Sequence, residues 1–446
     1  MKGRILNVFC YAFFGVAAMV WRIEAVSIDF YNPMRNQFPI YTEHHSGRFL
    51  HITDIHIDPY YTFRSDPENK CHSASRKSLH NTAGKFGALH SECDTPYTLT
   101  NSTFDFLKKN FSDVDFVIYT GDTCRHERDP NLPLTKTDVL SSHRILVQWF
   151  TEYFDVQRVK IIPAIGNNDE FEHNQLTVGP NSLLSNLTEI WAPLRLNLTN
   201  DFYVGGYFRQ DIDSQLSVLS LNSMYLYKSN LKIKDCKCKR SPGAKQLIWF
   251  ETELKSAREE NRKVYVSQHM APLDSSGEPA YYPTCFKQYV QLIGDYSDVI
   301  YGHFTGHTNQ DTLTFVSSRK DLREDYHLTL LTDEREYPSS DNKVVLVLNN
   351  APSIIPVNNP AVREYYYSTD DQDFGVLLNY HQYFTNLTEA NNLGEVRWYL
   401  EYTANDHFGI YRLQGGDWEK LFKRFKKPDL ELWERYIKYI EVSRRH

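Results

Sequence analysis

Short apolar runs, each followed at once by polar residues, constrain the fold of this chain more than any other feature. Five such runs, rich in β-branched and aromatic residues, cover residues 48–52, 115–119, 159–165, 263–267 and 298–301. Each run has the length of a buried β-strand, and helix-like stretches such as 139–154 and 243–260 lie between them. Strands that alternate with helices predict an α/β fold, in which ligand-binding groups collect at the carboxyl ends of the strands.

The polar residues after these runs are of the types that bind divalent metal ions. They are Asp54, His56, Asp122, Asn167, His269 and His307. Carboxylate, imidazole and amide groups are ligands for first-row metals, and a carboxylate can bridge two ions about 3.5–4 Å apart. A single Asp or His at a strand end is more often a cap or a turn residue. The whole ordered set, in contrast, predicts a metal site at the edge of the sheet.

The motifs follow one another in the order Asp-x-His, Gly-Asp, Gly-Asn-x-Asp, an isolated His and Gly-His-x-Asn. In this order the chain resembles the calcineurin-like metallophosphoesterases, and in detail the fungal endopolyphosphatases near the acid sphingomyelinase branch. The resemblance includes FLHITDIHIDPYY (49–61), FVIYTGDTCRH (116–126), GNND (166–169), YGHFTGHTNQD (301–311) and APSIIPVNNPAVR (351–363). It implies a four-layer α/β/β/α sandwich with a C-terminal extension.

The resemblance also implies a role for each ligand. The implied ligands are Asp54 and His56 for a first ion, Asn167, His269 and His307 for a second, and Asp122 as the bridge. Asn309 stands where the wider family has a histidine for the first ion, and an amide oxygen is a weaker ligand than imidazole. His303 is interpreted as a supporting residue and not as a ligand. The identity of the metals stays open among Mn, Fe, Zn, Co and Mg.

Asn168 bears on the substrate. Many relatives have a histidine at this position that helps to protonate the leaving oxygen, and a neutral amide cannot do so. General-acid help is typically worth ~10²–10⁴ in rate, which matters for an alcohol ester and much less for a departing phosphate chain. Asn168 therefore favours a phosphoanhydride substrate. Arg125 and His126, which follow Asp122 closely, are placed to contact substrate oxygens, and for Arg125 a salt bridge within its own loop is an equally good interpretation.

The resemblance, with which Asn168 agrees, implies an endopolyphosphatase that acts on inorganic polyphosphate with a hydroxide activated by two metal ions. Internal cleavage is implied by the resemblance alone, and the residues leave cleavage inside the polymer or at its ends open. A sphingomyelinase-like or nucleotide phosphodiesterase is one alternative, and a non-catalytic lumenal protein that binds polyphosphate or acts as an adaptor is another. The net charge of −7 argues against a nucleic-acid partner. Two basic runs are candidate contacts for a polyanion: Lys232, Lys234, Lys237, Lys239 and Arg240, and then Lys420, Lys423, Arg424, Lys426 and Lys427. The second run lies on a predicted amphipathic helix, for which packing is the more frequent explanation.

The N-terminal segment, residues 1–26, predicts entry into the secretory route. Lys2 and Arg4 precede an apolar run over residues 5–21, which fits a cleaved signal peptide and an uncleaved signal anchor equally. Glycosylation sequons begin at Asn101, Asn110, Asn186, Asn197 and Asn386. Among the cysteines, Cys71–Cys93 is the favoured disulfide because its loop is local. The resemblance implies a vacuolar lumen, with a single-pass type II membrane topology if the segment is uncleaved, and secretion is the alternative.

The predicted organisation has a catalytic domain over residues 46–368 and a C-terminal extension over residues 369–446 packed on it. Residues 317–343 are charged and are predicted to be loop-like. Further strands are predicted over 344–348, 374–378 and 396–402, and a helix over 417–440 with an interruption at Pro428. The oligomeric state is not predictable from these patterns.

Overall fold

A computed structural model describes residues 46–319, 325–332, 342–426 and 430–443. The predicted targeting segment and Pro428 lie outside the described residues. The strands are β1 (Ser46–Ile52), β2 (Phe116–Tyr119), β3 (Lys160–Pro163), β4 (Phe208–Asp211), β5 (Leu216–Ser220), β6 (Lys263–Ser267), β7 (Ile300–Thr305), β8 (Thr312–Arg319), β9 (Tyr326–Leu330), β10 (Asn342–Asn350), β11 (Ala361–Ser368), β12 (Leu377–Thr385) and β13 (Trp398–Thr403). The helices are α1 (Tyr97–Phe111), α2 (Lys136–Tyr153), α3 (Ser182–Ile190), α4 (Asn200–Gly205), α5 (Pro242–Glu259), α6 (Pro283–Asp295), α7 (Leu387–Leu393), α8 (Ala404–Phe408), α9 (Gly415–Lys426) and α10 (Leu430–Ile440).

Two mixed sheets form the centre of the fold. The first has the strand order β13-β12-β11-β1-β2-β3, and β1, β2 and β3 are parallel. The second has the order β4-β5-β6-β7-β10-β8-β9, and β5, β6, β7 and β10 are parallel. Within each parallel group the carboxyl ends meet at one edge of the sheet, which is where a binding site is expected.

The two sheets pack face to face through aromatic side chains. The ring of Phe49 on β1 lies 5.5 Å from that of Tyr265 on β6 and 5.4 Å from that of Phe304 on β7. Helices cover the outer faces: Phe150 of α2 contacts Tyr119 of β2, and Tyr289 of α6 contacts β7. The result is the predicted four-layer α/β/β/α sandwich. Because both faces of the sheet are covered here, all of β2 and the last three residues of β3 are buried, and neither strand alternates.

The secondary structure confirms most of the sequence predictions, with two errors. The strand predicted over 374–378 is displaced, because residues 371–375 form the turn after β11 and β12 covers Leu377–Thr385. The prediction that residues 317–343 are loop-like is wrong for the described part of that range, because β8 extends to Arg319, β9 covers Tyr326–Leu330 and β10 begins at Asn342. These three strands pair in antiparallel fashion, β9 with β8 and β8 with β10. Antiparallel strands accept polar residues on an open face, so the charge that suggested a loop is compatible with a sheet.

The region after residue 369 continues the first sheet. β12 pairs with β11 and β13 pairs with β12, both antiparallel. The helix predicted over 417–440 is present as α9 and α10 on either side of the interruption. Among the helices that the structure describes, none has the length and apolar character needed to cross a membrane.

Two disulfides link loops on the surface of the sandwich. Cys71–Cys93, the predicted pair, is confirmed, and a second bond joins Cys236 to Cys285. Cys124 is a buried free thiol and Cys238 is a partly exposed one.

Candidate metal centre and active site

The carboxyl ends of β1 and β2 bring the first predicted ligands together. His56 Nε2 lies 3.3 Å from Asp122 Oδ2 and 3.7 Å from Asp54 Oδ1. All three side chains are about 1 % exposed. Three such groups facing one another in the interior are arranged as ligands of one cation.

The loops after β3, β6 and β7 bring the other three ligands to the same carboxylate. His269 Nε2 lies 3.3 Å from Asp122 Oδ2, 2.9 Å from Asn167 Oδ1 and 3.2 Å from His307 Nδ1. Asp122 Oδ2 is therefore equally close to His56 and to His269, and it is shared by both groups. The six side chains that the strand-end pattern singled out converge on one place.

An unusual backbone conformation holds several of these ligands. Positive φ angles occur at Asp54 (50°), His56 (46°), Asp122 (60°), His307 (73°) and Asn309 (59°). For non-glycine residues the left-handed region costs about 1–2 kcal/mol each, so the surrounding structure must impose it. Strain that is concentrated at the ligands of one site is a mark of function rather than of folding alone.

Glycines before the ligands allow the loops to approach one another. A Cβ atom on Gly166, which precedes Asn167, would lie 2.1 Å from Asp122 Oδ1. One on Gly306, which precedes His307, would lie 2.0 Å from Thr53 Oγ1 and 2.6 Å from Asp54 Oδ2. Any side chain at these positions would push the ligands apart, which explains the glycine in the Gly-Asn and Gly-His motifs.

Asp169 fixes the loops after β2 and β3 relative to each other. Its buried carboxylate accepts hydrogen bonds from the backbone N–H groups of Asp122 (3.0 Å), Thr123 (2.7 Å) and Gly166 (2.8 Å). The sequence analysis quoted Asp169 as part of GNND but assigned no role to it. The indication in the sequence is its position three residues after the glycine of GNND. In the structure its hydrogen bonds hold the loop after β2 against the loop after β3.

Two of the imidazoles are oriented by a hydrogen bond that Nδ1, the ring nitrogen turned away from the other ligands, donates to a backbone carbonyl. His56 Nδ1 donates to Cys124 O (2.9 Å) and His269 Nδ1 donates to Thr120 O (2.8 Å). Each bond fixes the tautomer and leaves Nε2 as the ligand atom, as is usual at metal sites. Asn167 is oriented in the same way, because its Nδ2 donates to His173 Nε2 (2.9 Å) and its Oδ1 faces His269. The sequence analysis did not identify His173 as a partner of Asn167.

The pKa shifts and the unpaired oxygen atoms of the predicted ligands are those expected at a cation-binding site. Burial disfavours a charged His269, yet Asp122 and Asp54 outweigh this and raise its pKa to about 9. Burial and the neighbouring His269 lower the pKa of His307 to about 4. Asp54 Oδ1 and Asn309 Oδ1 are buried without a hydrogen-bond partner among the described residues. The orphaned oxygen of Asp54, in one group with His56 and Asp122, fits a bound divalent metal, which supplies the missing partner.

Comparison with known proteins agrees with this chemistry. A sequence profile for the calcineurin-like phosphoesterases matches residues 47–311, and one for the C-terminal region of acid sphingomyelin phosphodiesterase matches residues 343–446. The chain belongs to the calcineurin-like phosphoesterase family. Phosphoesterases of this family use divalent metal ions, and the His and Asp groups above are the candidates to bind them.

Individual relatives fall into two kinds. Endopolyphosphatases of Kluyveromyces lactis and Saccharomyces cerevisiae are each 35 % identical over 287 and 286 residues, which are 61 % of this chain. The chain spans about two-fifths of the length of these relatives, 41 % and 42 %. A cyclic GMP-AMP phosphodiesterase of Rattus norvegicus is 30 % identical over 421 residues, which are 91 % of this chain and 86 % of the relative.

In this phosphoesterase Asn168 contacts the shared carboxylate. Its backbone N–H donates to Asp122 Oδ1 (2.8 Å) and its side-chain Nδ2 donates to Asp122 Oδ2 (2.7 Å). The side chain is 2 % exposed. Asn168 therefore orients Asp122, and its amide hydrogens are engaged there.

Arg125 lies within its own loop. Its guanidinium donates to the carbonyl oxygens of Leu132 (2.9 Å) and Pro133 (3.3 Å) and lies 5.2 Å from the ring centre of Tyr60. With 1 % exposure it has no surface to offer a substrate. Its position does not support the predicted contact with substrate oxygens, because adjacency to Asp122 in sequence does not determine the direction of a side chain.

His126, in contrast, lies against the metal ligands. Its ring stacks on that of His56 with the centroids 4.1 Å apart. Asp94 holds it, since Asp94 Oδ1 lies 2.7 Å from His126 Nδ1 and Oδ2 accepts from the backbone N–H at 2.7 Å. Burial and the neighbouring His56 lower the pKa of His126. The sequence analysis assigned no role to Asp94, and the structure shows it as the partner that orients His126.

His303 and the second basic run are structural. His303 is buried against α6, where its Nε2 lies 2.6 Å from the hydroxyl of Tyr289, and burial lowers its pKa to about 3. This confirms that His303 is not one of the grouped ligands. On α9, Lys420 and Lys423 pair with Asp417 and Glu419 along the helix. Lys427 lies outside the described residues.

Proposed function

We propose that the chain is an endopolyphosphatase, which hydrolyses internal phosphoanhydride bonds of inorganic polyphosphate with two divalent metal ions. Asp54, His56 and Asn309 would hold one ion, Asn167, His269 and His307 would hold the other, and Asp122 would bridge them. When bound, the ions supply Lewis acidity at the phosphoryl oxygens and activate water as a nucleophile. Asp122 Oδ2, at 3.3 Å from an imidazole of each group, supports the bridging role.

The observation on which this proposal depends most is the pair of hydrogen bonds that Asn168 donates to Asp122. An amide that donates to the shared carboxylate does not protonate a leaving oxygen, so the site favours a leaving group that needs no proton. The end of a phosphate chain is such a group, whereas the alkoxide of an alcohol ester is not.

His126 completes the proposed site as a positioning donor. With Nδ1 held by Asp94, its Nε2 is the ring nitrogen left to face a substrate beside the ligand His56. In the free site burial and His56 favour the neutral ring, whose Nε2 carries no proton when Nδ1 donates to Asp94. We assign to the imidazolium form, which the negative charge of a bound polyphosphate favours, a hydrogen bond from Nε2 to a non-bridging phosphoryl oxygen. The preorganised contact would stabilise charge that develops on that oxygen during the reaction.

Product sizing on long-chain polyphosphate tests the proposal. The full chain is incubated with excess Mn²⁺ or Co²⁺, and the products are separated on a gel with and without a chelator. We expect chains of intermediate length to appear before orthophosphate, and the chelator to abolish their formation. Release of orthophosphate alone, with the remaining chains shortening by one unit at a time, would reject internal cleavage.

A nucleotide phosphodiesterase is the second candidate function. It is favoured by the relative that acts on cyclic GMP-AMP, which the chain matches over 86 % of its length, including the C-terminal region. Turnover of this dinucleotide, or of a chromogenic phosphodiester, with no shortening of polyphosphate would favour the second candidate. A non-catalytic role would require a protein that lacks stoichiometric metal, which elemental analysis detects.

We also propose a lumenal compartment of the vacuolar type for the described part of the chain. Two disulfides support an oxidising environment. The side chains of Asn101, Asn110 and Asn197 are exposed, as acceptor sites for glycans must be. A mobility shift on treatment with an endoglycosidase, in protein from a eukaryotic host, tests the glycans. An unchanged mobility would contradict them.

A further inference from the structure

A cationic loop near the metal centre is not used by the mechanism above. We define the basic loop as residues 228–240, between the active-site strand β5 and helix α5. It holds Lys228, Lys232, Lys234, Lys237, Lys239 and Arg240, with Asp235 as its single carboxylate. All six cationic side chains are exposed. In a chain of net charge −7, so much positive charge within one loop calls for a partner.

The backbone of the basic loop is firmly anchored although its charges are exposed. Cys236 forms the disulfide with Cys285, and Ile233 is buried. The carboxylate of Asp235 accepts hydrogen bonds from the backbone N–H groups of Thr284 and Cys285 at the start of α6. Because the backbone of the loop is already fixed, little backbone conformational entropy is lost when the loop binds an anion.

Four of the cations have no partner among the residues that the structure describes. In the described part of the chain, no hydrogen bond, ion pair or ring contact engages Lys234, Lys237, Lys239 or Arg240. Asp235 does not neutralise them, because its oxygens are directed to the start of α6. Lys232 makes an exposed pair with Glu172 (3.1 Å), and such a pair contributes little.

The basic loop is connected to the metal centre on two sides. The ring of Tyr227, the residue before it, lies 6.3 Å from that of His307. Seven residues separate Tyr227 from Lys234, which is at most about 25 Å of chain. On the second side, Gln175 Nε2 donates to Ser229 O (2.8 Å), and Gln175 lies two residues after His173.

The surface beside Asn309 has a different charge. Thr308 and Gln310, which flank Asn309, line a surface cavity of about 840 Å³. Its lining includes Glu68 and Glu92, and its lysine, Lys70, is paired with Glu92. A polyanion that leaves the metal centre in this direction meets carboxylates, whereas in the direction of Tyr227 it meets unpaired cations.

We infer that the basic loop is a binding surface for the part of a polyphosphate chain that extends beyond the cleaved bond. This inference rests on the proposed function and adds to it the side on which the polymer lies. Lysines bind phosphate as point charges without demanding one geometry, which suits a flexible, repeating polyanion. The surface makes the enzyme prefer long chains over short ones, because only a long chain reaches the metal centre and the loop together.

The test compares two quadruple variants in the full chain. The first replaces Lys234, Lys237, Lys239 and Arg240 by Gln. The control replaces Lys108, Lys109, Arg144 and Lys255 by Gln, which removes the same charge from exposed positions on α1, α2 and α5. Each is assayed at low salt on long-chain polyphosphate and on tripolyphosphate.

For the first variant we expect kcat/KM on long chains to fall about tenfold, mainly through KM, with a change of less than about twofold on tripolyphosphate. The control stays within about twofold on both, and 0.5 M salt removes the difference. Equal losses on long and short chains, or equal losses in both variants, overturn the inference.

A binding measurement separates this inference from the proposed function. Fluorescently labelled long-chain polyphosphate is titrated with each protein in the presence of a chelator, so that no turnover is needed. Weaker binding by the first variant alone, in a protein that does not cut polyphosphate, rejects the proposed function and retains the surface. If a single-stranded RNA of equal charge displaces the label as well as unlabelled polyphosphate does, the surface is not specific for polyphosphate and the inference fails.

Discussion

Two buried clusters of charge in this protein differ in the origin of their counter-ion. At the metal centre, Asp54 and Asp122 are about 1 % exposed, and in the described residues no lysine or arginine contacts them. Beneath the C-terminal strands, the carboxylate of Asp311 pairs with the guanidinium of Arg363, which is fully buried. Arg363 also donates to Gln382 Oε1 (2.7 Å) and lies over the ring of Tyr380.

This difference in the source of positive charge distinguishes a cluster that binds an external ion from a cluster that stabilises the fold. The Asp311–Arg363 cluster satisfies itself, because its positive charge comes from the chain and its hydrogen bonds are filled. The cluster of Asp54 and Asp122 is incomplete, with an orphaned oxygen on Asp54 and positive φ angles at both residues. In the described residues the positive charge beside these carboxylates comes from histidines, which bind a metal as neutral rings, so a bound cation would supply the fixed charge that Arg363 supplies to Asp311.

Asp122→Asn should have the largest effect on activity and little effect on the fold. Loss of the shared charge should lower kcat by a factor of about 10³ or more and lower the bound metal measured by elemental analysis. In chelator, the free energy of unfolding should fall by no more than about 1–2 kcal/mol, because the lost attraction of Asp122 to His269 and His56 is partly offset by relief of its repulsion with Asp54. Asp105→Asn, at an exposed position, is the matched control. Full metal content in Asp122→Asn would contradict the assigned role.

Arg363→Met should have the opposite effect. It leaves Asp311 buried without its cation, which costs about 3–5 kcal/mol in the free energy of unfolding, measured by denaturant titration. Adding Asp311→Leu should recover part of this loss, because the second change removes the unpaired charge. Arg144→Met, at an exposed position, should stay within about 0.5 kcal/mol of the parent. If Arg363→Met were as stable as the parent, the comparison of the two clusters would fail.

The sequence identified the ligands because each follows a strand whose apolar run is easy to recognise. Asp54, Asp122 and His269 occur where buried strands end, and a parallel sheet brings such positions together. The residues that hold the candidate ligands in place by hydrogen bonds were harder to predict from the sequence. Asp169, Asp94 and His173 act through hydrogen bonds between loops, and such bonds depend on a packing that no periodicity records.

The errors of the sequence analysis have a similar origin. Arg125 follows the shared carboxylate closely, yet the loop turns its side chain toward Leu132 O. The end of β8 and all of β9 contain enough polar residues to resemble a loop, and only the pairing of β8 with β10 and of β9 with β8 reveals a sheet. Local composition predicts which strands are buried on both sides, but it does not predict the antiparallel strands at the edges.

His173→Phe should have an intermediate effect, limited to the metal centre. Without an acceptor for Asn167 Nδ2, the amide loses its orientation, and metal affinity should fall about 10–100-fold in a chelator competition assay. His173→Gln restores an acceptor and should recover part of the affinity, which a loss of packing alone would not do. The midpoint of thermal unfolding in chelator should not change, because His173 is exposed. A variant with unchanged metal affinity would remove His173 from the set of positioning residues.

Glu401→Gln should have the smallest effect, and it depends on pH. Burial raises the pKa of Glu401 to about 7, although Gln382 and Ser443 donate to its carboxylate. Because the folded state binds this proton more tightly than the unfolded chain does, stability is greatest below about pH 4.5 and falls as the pH rises toward 7. The Gln variant lacks this loss, so it should be more stable than the parent by about 1–2 kcal/mol at pH 8 and nearly equal at pH 4. Denaturant titrations at both pH values measure the difference, and a stability gap that is the same at pH 4 and pH 8 would show that the carboxyl of Glu401 does not titrate between them.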